Sequence, residues 1–121
     1  MNKRAVSILF LTVVALFIFL ISGGAEAPVS SQYNSFARCL AGKGVTMYGA
    51  DWCGYCQTEK AAFGKSFQYV PYVECPDNIQ LCLDKKIAGY PAWIFPDGRK
   101  LDGLQGLENL SRESGCRLLI K

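Results

Sequence analysis

Two cysteines separated by two residues, Cys53 and Cys56, constrain this chain more than any other feature. They follow a short apolar run rich in strand-forming residues, 44–50, and they precede a helix-like stretch, residues 57–65. Cys53 is therefore predicted at a helix N-terminus, where unpaired backbone N–H groups and the helix dipole favour a thiolate. Two thiols at this spacing can alternate between dithiol and disulfide, which indicates thiol-disulfide chemistry.

The spacing predicts different roles for the two thiols. Cys53 is the predicted nucleophile. Cys56, one helical turn further along, is expected to be more buried and less ionised. It is placed to attack a mixed disulfide formed at Cys53, which closes the pair and releases the substrate thiol. Cys56 is thus the predicted resolving cysteine.

A metal site is one alternative, because a Cys-x-x-Cys pair also supplies half of many zinc sites. The chain contains no histidine, so further ligands would have to be carboxylates or other cysteines. None of the remaining cysteines forms a second such pair: Cys39, Cys75, Cys82 and Cys116. We expect no metal, and no cofactor beyond a redox-active Cys53/Cys56 disulfide. The remaining alternative is an inert disulfide staple in a scaffold or adhesion domain.

A second motif, Gly89-Tyr90-Pro91, opens an apolar, aromatic strand that continues to Phe95. Proline is permitted at the first position of a strand. In isolation this proline would be read as a trans residue that marks the strand edge. Its position downstream of the Cys-x-x-Cys pair changes that interpretation.

Together the two motifs resemble the thioredoxin superfamily, in which a cis-proline loop faces the Cys-x-x-Cys pair. The resemblance implies that Pro91 is a cis proline and that Tyr90 faces the substrate. It also implies a thioredoxin-like α/β fold, with a central mixed sheet of about four strands and helices on both faces. The residues expected to contact substrate are Trp52, Gly54, Tyr55, Tyr90 and Pro91.

The spacing of five of the cysteines indicates a resemblance to one particular group within this superfamily. With the Gly-Tyr-Pro tripeptide, the arrangement is similar to the thioredoxin-like domain fused to vitamin K epoxide reductase homologues in photosynthetic bacteria and plants. The similarity covers roughly residues 36–115. The quinone-reducing domain of those fusions is expected to act as a separate membrane partner. The cysteines whose spacing carries this similarity are Cys39, Cys53, Cys56, Cys75 and Cys82.

Two departures from the family pattern limit what the resemblance implies: the first concerns proton transfer, and the second leaves the redox direction open. Met47 stands where thioredoxins have a buried aspartate that helps to move the proton of the resolving thiol. Gly54 and Tyr55 replace the Gly-Pro pair that thioredoxins carry between their cysteines. We expect oxidation of protein thiols, and the alternative is a membrane-tethered reductase.

The N-terminus reads as an export signal. Lys3 and Arg4 precede an uncharged apolar run of 17 residues, 5–21. This length suits either a signal peptide or a short membrane anchor. Ala25 and Ala27 are candidate cleavage positions, but Pro28 disfavours cutting, so we favour an anchor.

The predicted organisation is residues 1–27 as signal peptide or anchor, 28–34 as linker and 35–121 as thioredoxin-like domain. Positive charge before the apolar run predicts that the domain lies outside the cytoplasm, on the periplasmic or cell-surface side. Six cysteines agree with an oxidising compartment. The chain after Ala27 has a net charge of only +2, which gives no reason to expect nucleic acid as a partner.

The outer cysteines are candidate disulfides. Cys75 and Cys82 flank a short segment and are interpreted as a staple or as a second redox pair. Cys39 and Cys116 are expected at the end of the sheet away from the active site, where they can form a staple.

Regular elements alternate along the exported part of the chain. Four helices are predicted in this part of the chain, and Asp77 is predicted to cap the third of them. Charged residues near the thiols, Asp51, Glu59 and Lys60, are interpreted as solvated. The predicted helices are residues 33–41, 57–65, 77–86 and 107–114, and the predicted strands are 44–50, 68–74, 91–95 and 99–102.

Overall fold

A computed structural model of the chain describes residues 2–21 and 32–119. In those residues the helices are α1 (Lys3–Ile21), α2 (Asn34–Gly42), α3 (Gly54–Phe63), α4 (Ile79–Asp84) and α5 (Gly106–Ser114). The strands are β1 (Thr46–Gly49), β2 (Tyr72–Glu74), β3 (Ala92–Ile94) and β4 (Lys100–Asp102). The candidate cleavage positions Ala25 and Ala27, and most of the predicted linker, lie outside the described residues.

The strands form one mixed sheet in the order β2-β1-β3-β4. β1 runs parallel to β2, whereas β3 is antiparallel to both β1 and β4. Met47 of β1 pairs with Trp93 of β3, and Tyr48 pairs with Ala92. Because side chains alternate along a strand, these two pairs face opposite sides of the sheet.

Helices cover both of these faces. On the Met47 side, the core is filled by Phe36 of α2, Phe63 of α3 and Leu110 of α5. On the Tyr48 side, Ala92 packs with the two cysteines that bracket the start of α4. The predicted mixed α/β architecture, with a four-stranded sheet and helices, is confirmed.

The starts of the second predicted strand and of α4 differ from the prediction for reasons that the structure shows. The second strand does not begin near residue 68, because Gly64–Tyr69 continues from α3 as a 3₁₀ helix. The partly buried Phe67 ring in that segment packs against the core residue Phe63 at a centroid distance of 5.9 Å, which holds the segment against the core. Asp77 does not cap α4. It ends a short 3₁₀ turn, Cys75–Asp77, that begins around a proline, and Asn78 separates this turn from α4.

Helix α1 contains the apolar run predicted to be a signal or an anchor. Its side chains from residue 3 to residue 18 are exposed. Across residues 2–21 and 32–119, the structure contains no helix that is both long and apolar enough to cross a membrane.

Glu59 on α3 is fully buried, so its interpretation as a solvated charge is wrong. Its carboxylate accepts hydrogen bonds from the backbone N–H groups of Gln105 (2.7 Å) and Gly106 (2.8 Å) at the start of α5. The indole N–H of Trp93 is a third donor, at 3.4 Å. These donors offset the cost of burying the charge, and a helix N-terminus is a favourable place for an anion. Glu59 therefore fixes the thiol-bearing helix against α5 and β3.

Replacing Glu59 with Gln is expected to lower the free energy of unfolding by about 3 kcal/mol, because an amide nitrogen would then face backbone donors. Urea unfolding of the full chain, followed by tryptophan fluorescence, measures this. Glu108→Gln removes the same charge from an exposed position on α5, and its effect should stay below about 1 kcal/mol. Equal effects of the two substitutions would show that Glu59 does not tie α3 to α5.

Candidate active site

The loop between β1 and α3 places Cys53 at the start of a helix. Its backbone N–H donates to the carbonyl of Ala50 at 3.1 Å, which closes a tight turn after the strand. Cys53 is the N-cap of α3, and its sulfur accepts the backbone N–H of Cys56 at 3.2 Å. This hydrogen bond and the positive end of the helix dipole both stabilise negative charge on the Cys53 sulfur. The predicted nucleophile therefore lies where a helix favours an anion.

Cys56 has a different environment, one turn into α3. It is fully buried, whereas Cys53 keeps 7 % of its surface exposed. Burial, together with the hydrogen bond to Cys53, raises the pKa of Cys56 from 9.0 to about 11. Cys56 is thus a neutral thiol near neutral pH. Both cysteines are free in the structure, which describes the dithiol state of the pair.

The Tyr90-Pro91 loop lies across from the thiols, and its peptide bond is cis. The Tyr90 ring meets the Trp52 ring edge-on at a centroid distance of 5.8 Å. The Pro91 side chain is fully buried, whereas Tyr90 shares the lining of one cleft with Cys53.

A cleft of about 450 Å³ opens at this point. The Cys53 sulfur is reached between two aromatic side chains that are largely exposed, Trp52 at 72 % and Tyr55 at 67 %. The structure thus brings together four of the five predicted substrate-contact residues around Cys53. The cleft is lined by Trp52, Cys53, Gly54 and Tyr55 on one side and by Ala88, Gly89 and Tyr90 on the other.

Two neighbours of Cys56 were not identified from the sequence, Gly49 and Tyr72. A Cβ atom on Gly49 would lie 2.9 Å from the Cys56 sulfur and 3.3 Å from the Tyr72 hydroxyl oxygen, so only glycine fits there. The Tyr72 hydroxyl donates to the Glu74 carboxylate at 2.5 Å. Burial and this hydrogen bond raise the pKa of Tyr72 far above its ordinary value, so the phenol stays neutral.

The four other cysteines form two disulfides. Cys39 on α2 is bonded to Cys116 after α5, so this disulfide joins the N-terminal helix of the sheet domain to its C-terminal segment. Cys75 is bonded to Cys82 across the start of α4. In the part of the chain that the structure describes, no group of three or more histidine, cysteine or acidic residues is placed to hold a metal ion.

Sequence comparison finds related proteins but no matching protein-family model. In an alignment of 115 positions that covers 80% of the chain, it is 35% identical to the thiol-disulfide oxidoreductase LTO1 of Arabidopsis thaliana. In an alignment of 90 positions that covers 64% of the chain, it is 26% identical to the thioredoxin domain-containing protein 5 homolog of Drosophila melanogaster. The chain spans only 30% and 22% of these two proteins, respectively.

Structural comparison finds oxidized glutaredoxin 2 from Chlamydomonas reinhardtii, with a TM-score of 0.40 and 23% sequence identity. That match covers 73% of this chain and 97% of the glutaredoxin. The names of the two sequence relatives are those of a thiol-disulfide oxidoreductase and a thioredoxin domain-containing protein. Over 80% of its length the chain is therefore similar to a protein named as a thiol-disulfide oxidoreductase, and its mixed sheet, its Cys53–Cys56 helix start and its facing cis-proline loop agree with a thioredoxin-like domain.

Proposed function

We propose that this chain is an enzyme, a protein thiol-disulfide oxidoreductase that works through Cys53 and Cys56. The observation that carries the proposal is the asymmetry of the two thiols. The Cys53 sulfur caps α3 and opens into an aromatic cleft, whereas Cys56 is fully buried behind it. The similarity to a protein named as a thiol-disulfide oxidoreductase supports the same activity.

In the oxidising direction, the reaction begins from a Cys53–Cys56 disulfide. A substrate thiolate attacks the Cys53 sulfur, the bond to Cys56 breaks, and the Cys56 thiolate takes a proton from water. A second substrate thiolate then attacks the substrate sulfur of the mixed disulfide and releases Cys53 as a thiolate. Two substrate thiols thereby lose two electrons and two protons, and the cysteine pair gains the electrons. The reverse sequence reduces a substrate disulfide.

The cleft favours protein thiols as substrates. None of its seven lining residues carries a charged side chain. The exposed rings of Trp52 and Tyr55 offer apolar surface on either side of the Cys53 sulfur. A protein segment with apolar residues beside its cysteine buries these rings, whereas a small charged thiol finds no countercharge in the lining.

We further propose that the domain works outside the cytoplasm in disulfide formation and that a membrane protein resembling vitamin K epoxide reductase reoxidises it. The cysteine spacing of the chain supports this partner. Two structural disulfides beside the reactive pair fit an oxidising compartment. The exposed apolar side chains along α1 favour association of this segment with a bilayer. In this proposal residues 1–27 are the anchor and residues 35–121 are the catalytic domain.

Acid-quenched thiol trapping in the native cell tests this direction, with mass spectrometry assigning the state of each cysteine. We expect Cys53 and Cys56 to be mostly disulfide-bonded and to become reduced when quinone-linked reoxidation is blocked. If the pair is held reduced beside intact outer disulfides, the protein is a reductase and the proposed direction is wrong.

A further inference from the structure

The buried thiol of Cys56 must ionise in every catalytic cycle, and its surroundings oppose this. Met47 lies in the same apolar cluster and offers neither an acid nor a base. Burial is the largest influence on the pKa of Cys56 and raises it, whereas the positive charge of Lys60 acts in the opposite direction. The position of Lys60 is therefore of chemical interest.

Lys60 lies four residues after Cys56 on α3, so the two side chains share one face of the helix. Its ammonium nitrogen lies 3.8 Å from the centre of the Tyr72 ring. The same ring lies near the thiol, since a Cβ placed on Gly49 would be 2.9 Å from the Cys56 sulfur and 3.2 Å from a Tyr72 ring carbon. The Tyr72 ring thus contacts the ammonium group and also lies beside the Cys56 sulfur, which places the three groups in one cluster.

The ammonium group is held in this position from two sides. The Tyr72 ring provides a cation–π contact, and its hydroxyl bond to Glu74 fixes the plane of the ring. The Asp51 carboxylate lies 3.7 Å from the Lys60 nitrogen, but 84% of the Asp51 side chain is exposed. Water screens this surface pair strongly, whereas it screens the interaction of Lys60 with the buried sulfur less.

Resting on the proposed function, we propose that Lys60 is a positioning residue that stabilises the Cys56 thiolate. In the resolving step, Cys56 gives its proton to water and its sulfur bonds to Cys53. The bond from Cys53 to the substrate sulfur breaks, and the substrate leaves as a thiolate that takes a proton from water. In the opposite direction, the same charge stabilises Cys56 as the leaving group.

The ionisable groups around Cys56 come from three elements. Cys53 and Lys60 lie on or at the start of α3, and Tyr72 faces the thiol from β2. Asp51, in the loop before α3, donates its backbone N–H to the carboxylate of Glu74 on β2 at 2.8 Å. On α3 itself Glu59 is turned away, because its carboxylate is bonded to the start of α5. Lys60 is the cation in this set.

A two-step reaction of the reduced full-length chain with dithiobis(nitrobenzoate) separates the roles of the two thiols. Attack by Cys53 releases one coloured thiolate at a rate proportional to the reagent concentration. Resolution by Cys56 releases the second at a rate independent of that concentration. Stopped-flow absorbance follows both releases across a pH series.

The Lys60→Gln variant should slow the second release by roughly three- to tenfold at mildly alkaline pH and displace its pH profile toward higher pH, because a lost countercharge raises a thiol pKa. The first release should change by less than about twofold, since Cys53 relies on the helix start. Lys60→Arg keeps the charge and should restore the rate. Lys65→Gln removes the same charge from an exposed position just after α3 and should leave both releases unchanged.

Failure of this inference and failure of the proposed function give different results. If the unsubstituted chain releases only the first coloured thiolate, Cys56 does not resolve and the proposed function itself is wrong. If it releases both, and Lys60→Gln leaves the second rate unchanged, slows both steps equally or matches Lys65→Gln, the role of Lys60 is refuted while the proposed function stands.

Discussion

Replacing Cys56 with Ser is expected to leave the chain covalently joined to its substrate proteins. Cys53 can still form the mixed disulfide because its position as the cap of α3 does not depend on the Cys56 sulfur. The thiol that would resolve that bond is absent, so the adduct persists. Acid quenching, alkylation and non-reducing electrophoresis should reveal high-mass adducts that disappear when a reductant is added.

The matched variant Cys53→Ser should form no adducts. It should lose at least about a thousandfold of the rate of thiol oxidation in a reduced, unfolded test protein, because a serine hydroxyl is not ionised near neutral pH. Adducts with Cys53→Ser and none with Cys56→Ser would reverse the two roles. Full activity of Cys53→Ser would support a scaffold domain instead.

Removal of the Cys39–Cys116 disulfide should cause the largest loss of stability. The bond closes a loop with a sequence separation of 77 residues, so its loss as a Cys39→Ala, Cys116→Ala double variant should cost about 4.5 kcal/mol of unfolding free energy through chain entropy. Urea unfolding of the full chain under non-reducing conditions measures this loss.

The Cys75–Cys82 bond provides an internal comparison. Its sequence separation is 7 residues, so the double variant Cys75→Ala, Cys82→Ala should lose only about 2.4 kcal/mol on the same entropy argument. The ratio of the two losses tests whether loop length sets the contribution of each bond. Equal losses, or a larger loss for the short loop, would contradict that account.

Much of the fold could be predicted because its signals are local. The strand before Cys53, the helix after it and the hairpin turn near Pro96 each follow from short sequence patterns. The αL conformation of Gly115, which ends α5, follows from the same kind of pattern. The resemblance to thioredoxins added the cis form of Pro91, which no local pattern supplies.

The surroundings of the thiols could not be predicted because they depend on contacts between distant segments. Glu59 reads as a surface residue until α5 brings two backbone donors to it from 46 and 47 residues away. Tyr72 reaches Cys56 through the parallel register that pairs it with Met47. No pattern in the sequence predicts either the register of β1 with β2 or the packing of α5 against α3.

The most direct test of the central claim is a single-turnover reaction of the oxidised full-length chain with a reduced, unfolded test protein. After rapid alkylation, peptide mapping identifies which cysteines have gained electrons. We expect newly alkylated Cys53 and Cys56, one new disulfide in the test protein for each chain, and unchanged Cys39–Cys116 and Cys75–Cys82 bonds. The central claim is contradicted if the Cys53–Cys56 bond stays intact while the test protein stays reduced, or if the electrons enter Cys75 and Cys82 alone. In either case Cys53 and Cys56 are not the reactive pair.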